Sequence, residues 1–229
     1  SLRRLGRDRV DIFHLHNPIT VTGGDSTLSV TQVMEEVLPA FARLRTAGKT
    51  RFLGITAVGD TAALGTVLES GAFASAQVSY NLLNPSAGAV LPADYPAQDY
   101  ARLLTRMAEH GAGAIGIRVL AGGALSGTEQ RHRIASPAPE PIGSAHRYAD
   151  DLARAARFAP LIAERFAVTL TEAATRFALS HPAMGTILVG MASPDQFEQA
   201  LAAVLPRPLP EAALERIRAI QQGFAGEAR

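Results

Sequence analysis

The chain has 229 residues, 47% hydrophobic and 19% charged, with 22 Lys and Arg against 21 Asp and Glu for a net charge of +1. That balance excludes a disordered chain, and the scattered basic residues disfavour nucleic acid or an anionic membrane as a partner. There is no cysteine, which removes disulfides, zinc–thiolate sites and thiol catalysis and fits a cytoplasmic protein; no apolar run is long enough to span a bilayer.

The first residue is Ser1 rather than Met, and the basic start carries no secretion signal, so the chain reads as opening in mid-sequence. From there strand and helix patterns alternate. Residues 10–16 (VDIFHLH) read as a strand. Residues 31–47 read as an amphipathic helix, with Val33, Val37, Phe41 and Leu44 on one face and Gly48 as its stop. A second strand is expected at 51–56 (RFLGIT), then a helix at 60–70 capped by Asp60, then a third strand at 74–79 (ASAQVS). Residues 94–110 read as a helix and 113–118 (GAIGIR) as a fourth strand. A long Gly/Pro/Ser-rich loop follows at 120–149. Helices are expected at 149–166 and 170–180, a fifth strand at 185–189 (GTILV), and closing helices at 194–204 and 210–223.

Strands alternating with helices imply an α/β fold with a parallel sheet, and no linker divides the chain, so residues 1–229 read as one domain. Five strands fall short of the eight, and the roughly 250 residues, of a (β/α)8 TIM barrel. Two architectures remain: an open doubly wound sheet, or a partial TIM barrel lacking roughly the first three βα units.

Several residues offer chemistry. His14 and His16, two apart on one strand, share a face. As a pair they suggest a metal site, and with it a metal-dependent hydrolase. The later strand ends, Thr56, Ser79, Arg118 and Val189, supply no good ligand to complete one. His14 therefore reads as packed core. His16 ends its strand just before Asn17-Pro18, where the chain must leave the sheet, and reads as catalytic. Gln77 is a polar amide inside an apolar strand, either outward-facing or suited to a ligand carboxamide. Arg118 ends the fourth strand beside the run 120–127 (LAGGALSG), whose Gly122, Gly123 and Gly127 let backbone amides turn towards a phosphate. Ser193 is a fitting N-cap before Pro194, at a helix start that either simply closes the helix or holds an anion.

The order of these pieces resembles the aldo-keto reductase family. Residues 1–6 (SLRRLG) with 10–18 (VDIFHLHNP) are similar to its passage into barrel strand four, and residues 44–55 (LRTAGKTRFLGI) to the next helix-to-strand step. Residues 77–84 (QVSYNLLN) resemble its strand six and 120–127 the loop after strand seven. Residues 178–182 (ALSHP) and 190–196 (GMASPDQ) resemble the approach to and exit from strand eight.

The resemblance implies an NAD(P)-dependent oxidoreductase acting on aldehydes or ketones, with NADP as cofactor and NAD as the alternative, and a small-molecule carbonyl substrate. The family's tetrad is Asp, Tyr, Lys and His; His16 matches its His, and the other three have no counterpart here. The chain by itself is therefore expected to lack turnover. The cofactor-binding residues implied are Thr56, Gln77, Arg118, Leu120, Gly122, Gly190, Ser193 and Gln196; no metal ligand is implied. Thr56-Ala57 stands where the family often has Ser-Asn, Ile117 or Arg118 where many members stack an aromatic residue, Gln196 in place of an Arg and Ala200 in place of an Asn. A non-catalytic module that binds a cofactor or partner is the remaining alternative.

Overall fold

A computed structural model describes residues 1–135, 143–144, 146–205 and 208–228. Part of the long loop expected at 120–149, and residues 206–207 after the helix expected at 194–204, lie outside the described ones. The chain divides into two compact units, residues 1–78 with 103–115, and residues 79–102 with 116–229.

The first unit begins with α1 (Leu2–Leu5) and β1 (Val10–Leu15), followed by the two-residue strands β2 (Ile19–Thr20) and β3 (Leu28–Ser29). A helical run covers α2 (Val30–Gln32), a π-helical turn over Val33–Val37, and α3 (Leu38–Thr46). Then come β4 (Thr50–Ala57), α4 (Thr61–Glu69), β5 (Ser75–Ser79), α5 (Leu103–Glu109) and β6 (Gly113–Ile117). β1 pairs in parallel with β4 and β4 with β5, and β6 follows β5 in the sheet. The Gly113 N–H donates to the Ala74 carbonyl at 2.9 Å.

Strand alternation sorts the side chains of this sheet. Leu15, Leu53, Ile55, Ala57, Ala76 and Val78 lie on one face and are buried, each large one contributing about 1.5–3 kcal/mol by leaving water. α3 packs against β4, and the Phe13 and Phe41 rings meet at 4.9 Å. The other face carries Ile12, His14, Phe52, Gly54, Thr56, Ser75 and Gln77, and most of the polar groups of interest are there.

The second unit holds the 3-10 turns Ala121–Ser126 and Arg133–Ala135, α6 (Tyr148–Ala156), α7 (Pro160–Ala163), α8 (Leu170–Leu179), β7 (Met184–Ile187), α9 (Pro194–Val204) and α10 (Glu211–Gln222). Within this unit the Leu188 N–H donates to the Gly116 carbonyl at 2.8 Å. Phe158, Leu161, Ala173, Ala174, Ile217 and Phe224 form its core, with Phe224 edge-on to Phe158 and Tyr95. Buried charge is satisfied: Arg176 donates to Glu172 at 2.7 Å and to the Phe166 carbonyl at 2.8 Å, while the other Glu172 oxygen takes the Val168 N–H at 2.9 Å.

Several elements differ from their sequence reading for identifiable reasons. The helix expected over 31–47 widens to a π turn just before Pro39, because proline has no N–H for the carbonyl four residues back and its ring crowds that carbonyl. Asp60 occupies the N-cap position of α4, but its carboxylate accepts from Val21 N–H at 2.9 Å instead of closing the helix.

The helix expected at 94–110 forms only from Leu103. Before it, the amide of Asn84 and the hydroxyl of Ser86 both donate to the Gln98 carbonyl, and Ser86 Oγ accepts from Tyr100 N–H. Asp99 also accepts from Ala101 N–H, and Ala101 and Arg102 are drawn to φ 49° and 53°. These side-chain bonds outcompete a helical ladder. The helix expected at 149–166 breaks between α6 and α7, where three successive tight turns lead into Pro160. Among the described residues no helix is long and apolar enough to cross a membrane.

Candidate functional site

The parallel register stacks two polar rows across β1, β4 and β5. In the lower row His14 is level with Gly54, and Gly54 with Ser75. In the upper row Thr56 is level with Gln77; continuing the β1–β4 register one residue past β1 brings His16 level with Thr56.

Gly54 makes the lower row possible. A Cβ there would meet the His14 ring at 1.9 Å from Cδ2 and 2.2 Å from Nε2. The bare glycine lets the imidazole lie across β4 and reach Ser75 on the strand beyond, with Nε2 2.9 Å from Ser75 Oγ. His14 Nδ1 is 3.1 Å from Gln77 Nε2, which joins the two rows. An amide nitrogen only donates, so in this orientation of Gln77 Nδ1 accepts and the ring proton falls to Nε2, facing the Ser75 hydroxyl. Burial lowers the His14 pKa from its ordinary 6.5, which keeps the ring neutral. The Thr56 hydroxyl donates to Gln77 Oε1 at 3.5 Å, a long contact.

Thus His14 is half-buried and bonded at both nitrogens, where the sequence reads it as packed core. Neither nitrogen is left for a metal, and among the described residues no group of three His, Asp or Glu is arranged to hold one. His16 lies just beyond β1, exposed and without a hydrogen-bond partner among the described residues. Thr56 is buried and Gln77 half-buried, its side chain turned to its neighbours on this face.

The remaining candidates lie in the second unit. Arg118 follows β6 in a left-handed conformation, φ 56°, rare for a residue with a Cβ. Asn81 Nδ2 holds it by donating to its carbonyl at 3.0 Å, and this half-buried residue makes no ion pair among the described residues. Leu120 and Gly122 stand in the turn that follows. The amides of Ala121, Gly123 and Leu125 are spent inside that turn, on the carbonyls of Arg118 and Leu120. The Gly122 carbonyl accepts from Arg131 at 2.7 Å.

At the start of α9, Ser193 Oγ caps the helix by accepting from Gln196 N–H at 3.3 Å. The Gln196 side chain folds back to accept from Ala192 N–H at 2.6 Å, so it serves the cap. Gly190 has open space around it. The structure therefore pairs Thr56 with Gln77 at one level, with His16 just past the last paired residue of β1, groups Arg118, Leu120 and Gly122 in one turn, and groups Gly190, Ser193 and Gln196 at one helix start. Sequence reading missed the support given by His14, Gly54 and Ser75; the only signal for it is the pairing register, which a single strand does not reveal.

A parallel α/β sheet with two polar rows across neighbouring strands defines the class of fold. Comparison with known proteins defines the family. The model of the aldo/keto reductase family matches residues 1–222, and the chain belongs to that family.

L-Galactose dehydrogenase from Arabidopsis thaliana is 31% identical over 212 residues, covering 89% of this chain and 55% of that protein. An aldo-keto reductase from Bacillus halodurans in its holo form superposes with a TM-score of 0.62 at 22% identity, covering 99% of this chain and 65% of that one. A glycerol dehydrogenase from Gluconobacter oxydans gives 0.66 at 19% identity, covering 97% and 62%. The structural matches speak for the fold. The chain spans about half the length of the curated relative and under two thirds of these two solved chains.

Proposed function

We propose that this chain is the part of an NAD(P)-dependent oxidoreductase, acting on aldehydes or ketones, that grips the nicotinamide end of the cofactor. Its five main strands correspond to strands four to eight of the family's barrel, which the strand count and the share of the solved relatives covered both support. The observation that carries the functional reading is the level row of His16, Thr56 and Gln77, backed by His14.

The residues fit a nicotinamide. With one N–H given to His14 and one lone pair to Thr56, the Gln77 amide keeps an N–H and a lone pair for a ligand. That pair matches a primary carboxamide donor to acceptor. Bound there, the dinucleotide supplies hydride transfer; the protein's part is to orient it. Exposed His16 at the same level is placed to donate a hydrogen bond to a carbonyl oxygen. Arg118, which makes no ion pair among the described residues, with Leu120 and Gly122 beside it, and the α9 start with Gly190, Ser193 and Gln196 would take the phosphates and ribose. NADP is the first choice of cofactor and NAD the second, in a cytoplasmic setting.

The family's acid, the Tyr tuned by Lys and Asp, has no counterpart among these residues, so the chain alone binds cofactor without turning over substrate. Titration of NADPH, followed by its own fluorescence because the protein has no Trp, should show saturable binding. Gln77→Leu should weaken it about tenfold, equivalent to ~1.4 kcal/mol. Absence of binding by the unaltered chain refutes this reading, and aldehyde reduction at enzyme-like rates refutes the loss of turnover.

A further inference from the structure

The hydrogen bonds of Gln77 contain an asymmetry that the nicotinamide reading does not explain. The two ends of a glutamine amide are nearly equal in size, so only its partners decide which way round it sits. Thr56 and Ser75 carry hydroxyls, which donate or accept and so enforce nothing by themselves. His14 is different: when neutral, each ring nitrogen has one fixed role.

We propose that His14 is a positioning residue: its Nδ1 lone pair holds the amide nitrogen of Gln77, fixing that carboxamide with Oε1 towards Thr56 and leaving one N–H and the oxygen for a bound primary carboxamide. The ligand half of this proposal rests on the nicotinamide reading; the positioning half rests on geometry alone. Three features support it. Gly54 leaves the space through which the ring crosses β4. Buried Ser75 Oγ, 2.9 Å from Nε2, can accept that nitrogen's proton and so anchor the far side of the ring. The half-buried setting disfavours the imidazolium, in which Nδ1 would itself be a donor facing a donor. His14 acts through Gln77, whose oxygen, turned to Thr56, would accept from a ligand NH2 and whose free N–H would donate to a ligand carbonyl.

The test has two arms. Imidazole 15N spectra of the histidine-labelled protein at neutral pH should show His14 protonated at Nε2 and bare at Nδ1. Gln77→Glu, which sets an acceptor against Nδ1, should move the proton to Nδ1. A wild-type ring protonated at Nδ1, or a pattern unchanged in the Glu variant, overturns the proposal.

In the second arm, His14→Leu should weaken NADPH binding at least fivefold, and His14→Asn, which keeps an acceptor at the place of Nδ1, should return it to within twofold. Equal affinity in the Leu variant, or no rescue by Asn in a folded protein, also overturns it. If the unaltered chain binds no dinucleotide, the nicotinamide reading fails, and the nitrogen spectra decide the positioning role without it.

Discussion

Gly54→Ala is the sharpest test of the histidine bridge. The new methyl group would sit 1.9 Å from His14 Cδ2, 2.2 Å from Nε2 and 2.7 Å from Ser75 Oγ, all far inside van der Waals contact. Gly54 lies in an extended strand, so the backbone accepts alanine and the ring must move. Displacement breaks the bonds to Ser75 and Gln77, at about 1 kcal/mol each, and overpacking adds about 1–3 kcal/mol. The lower end of that sum, about 3 kcal/mol, already lowers the melting temperature by about 6–12 °C for a chain of this size.

Thermal unfolding followed by far-ultraviolet circular dichroism measures this loss. The same substitution made in a His14→Ala background is the control: with the ring gone, Ser75 can rotate away and the added methyl should cost under about 1 kcal/mol. The coupling between the two sites is then about 2 kcal/mol. If Gly54→Ala is harmless in the unaltered protein, or equally harmful with and without His14, the ring does not cross β4 as described.

Acid should destabilise the fold before any carboxylate is protonated. Burial lowers the pKa of both His14 and His181 below 6.5, so the unfolded chain binds protons more readily than the native one. The stability they support is full above pH 6.5 and declines as pH falls through that value, and His14→Asn should flatten part of the decline in urea titrations. Separately, Glu172→Ala takes the counter-charge from the nearly buried Arg176 guanidinium and the acceptor from the Val168 N–H. It should cost about 3–5 kcal/mol by chemical unfolding, and a loss under about 1 kcal/mol would show the pair to be solvated.

The element pattern was largely legible in the sequence, because two-residue and 3.6-residue periodicities are local. Helix α9 has the expected limits, and β1, β4, β5 and β6 differ from expectation by only a residue at either end. Failures arose where proline or a side-chain bond from elsewhere intervened. Pro39 and Pro160 were visible as residues, but whether the chain would bulge or break at them was not. The hold of Asn84 and Ser86 on residues 98–102 comes from more than ten residues away and leaves no periodic trace.

The histidines show the same division. From sequence alone His16 stands at a strand exit and His14 and His16 share one face, because alternation along a strand is a property of the backbone. Gln77 was singled out as an amide that must find partners. That its partner is His14, that Gly54 clears the way, and that Ser75 takes the other nitrogen were decided by the register of three strands drawn from residues 14, 54 and 75. Register is a relation between segments distant in the chain, and packing the apolar face formed by Leu15, Ile55 and Val78 sets it, since a slip of one residue would turn every side chain to the wrong face.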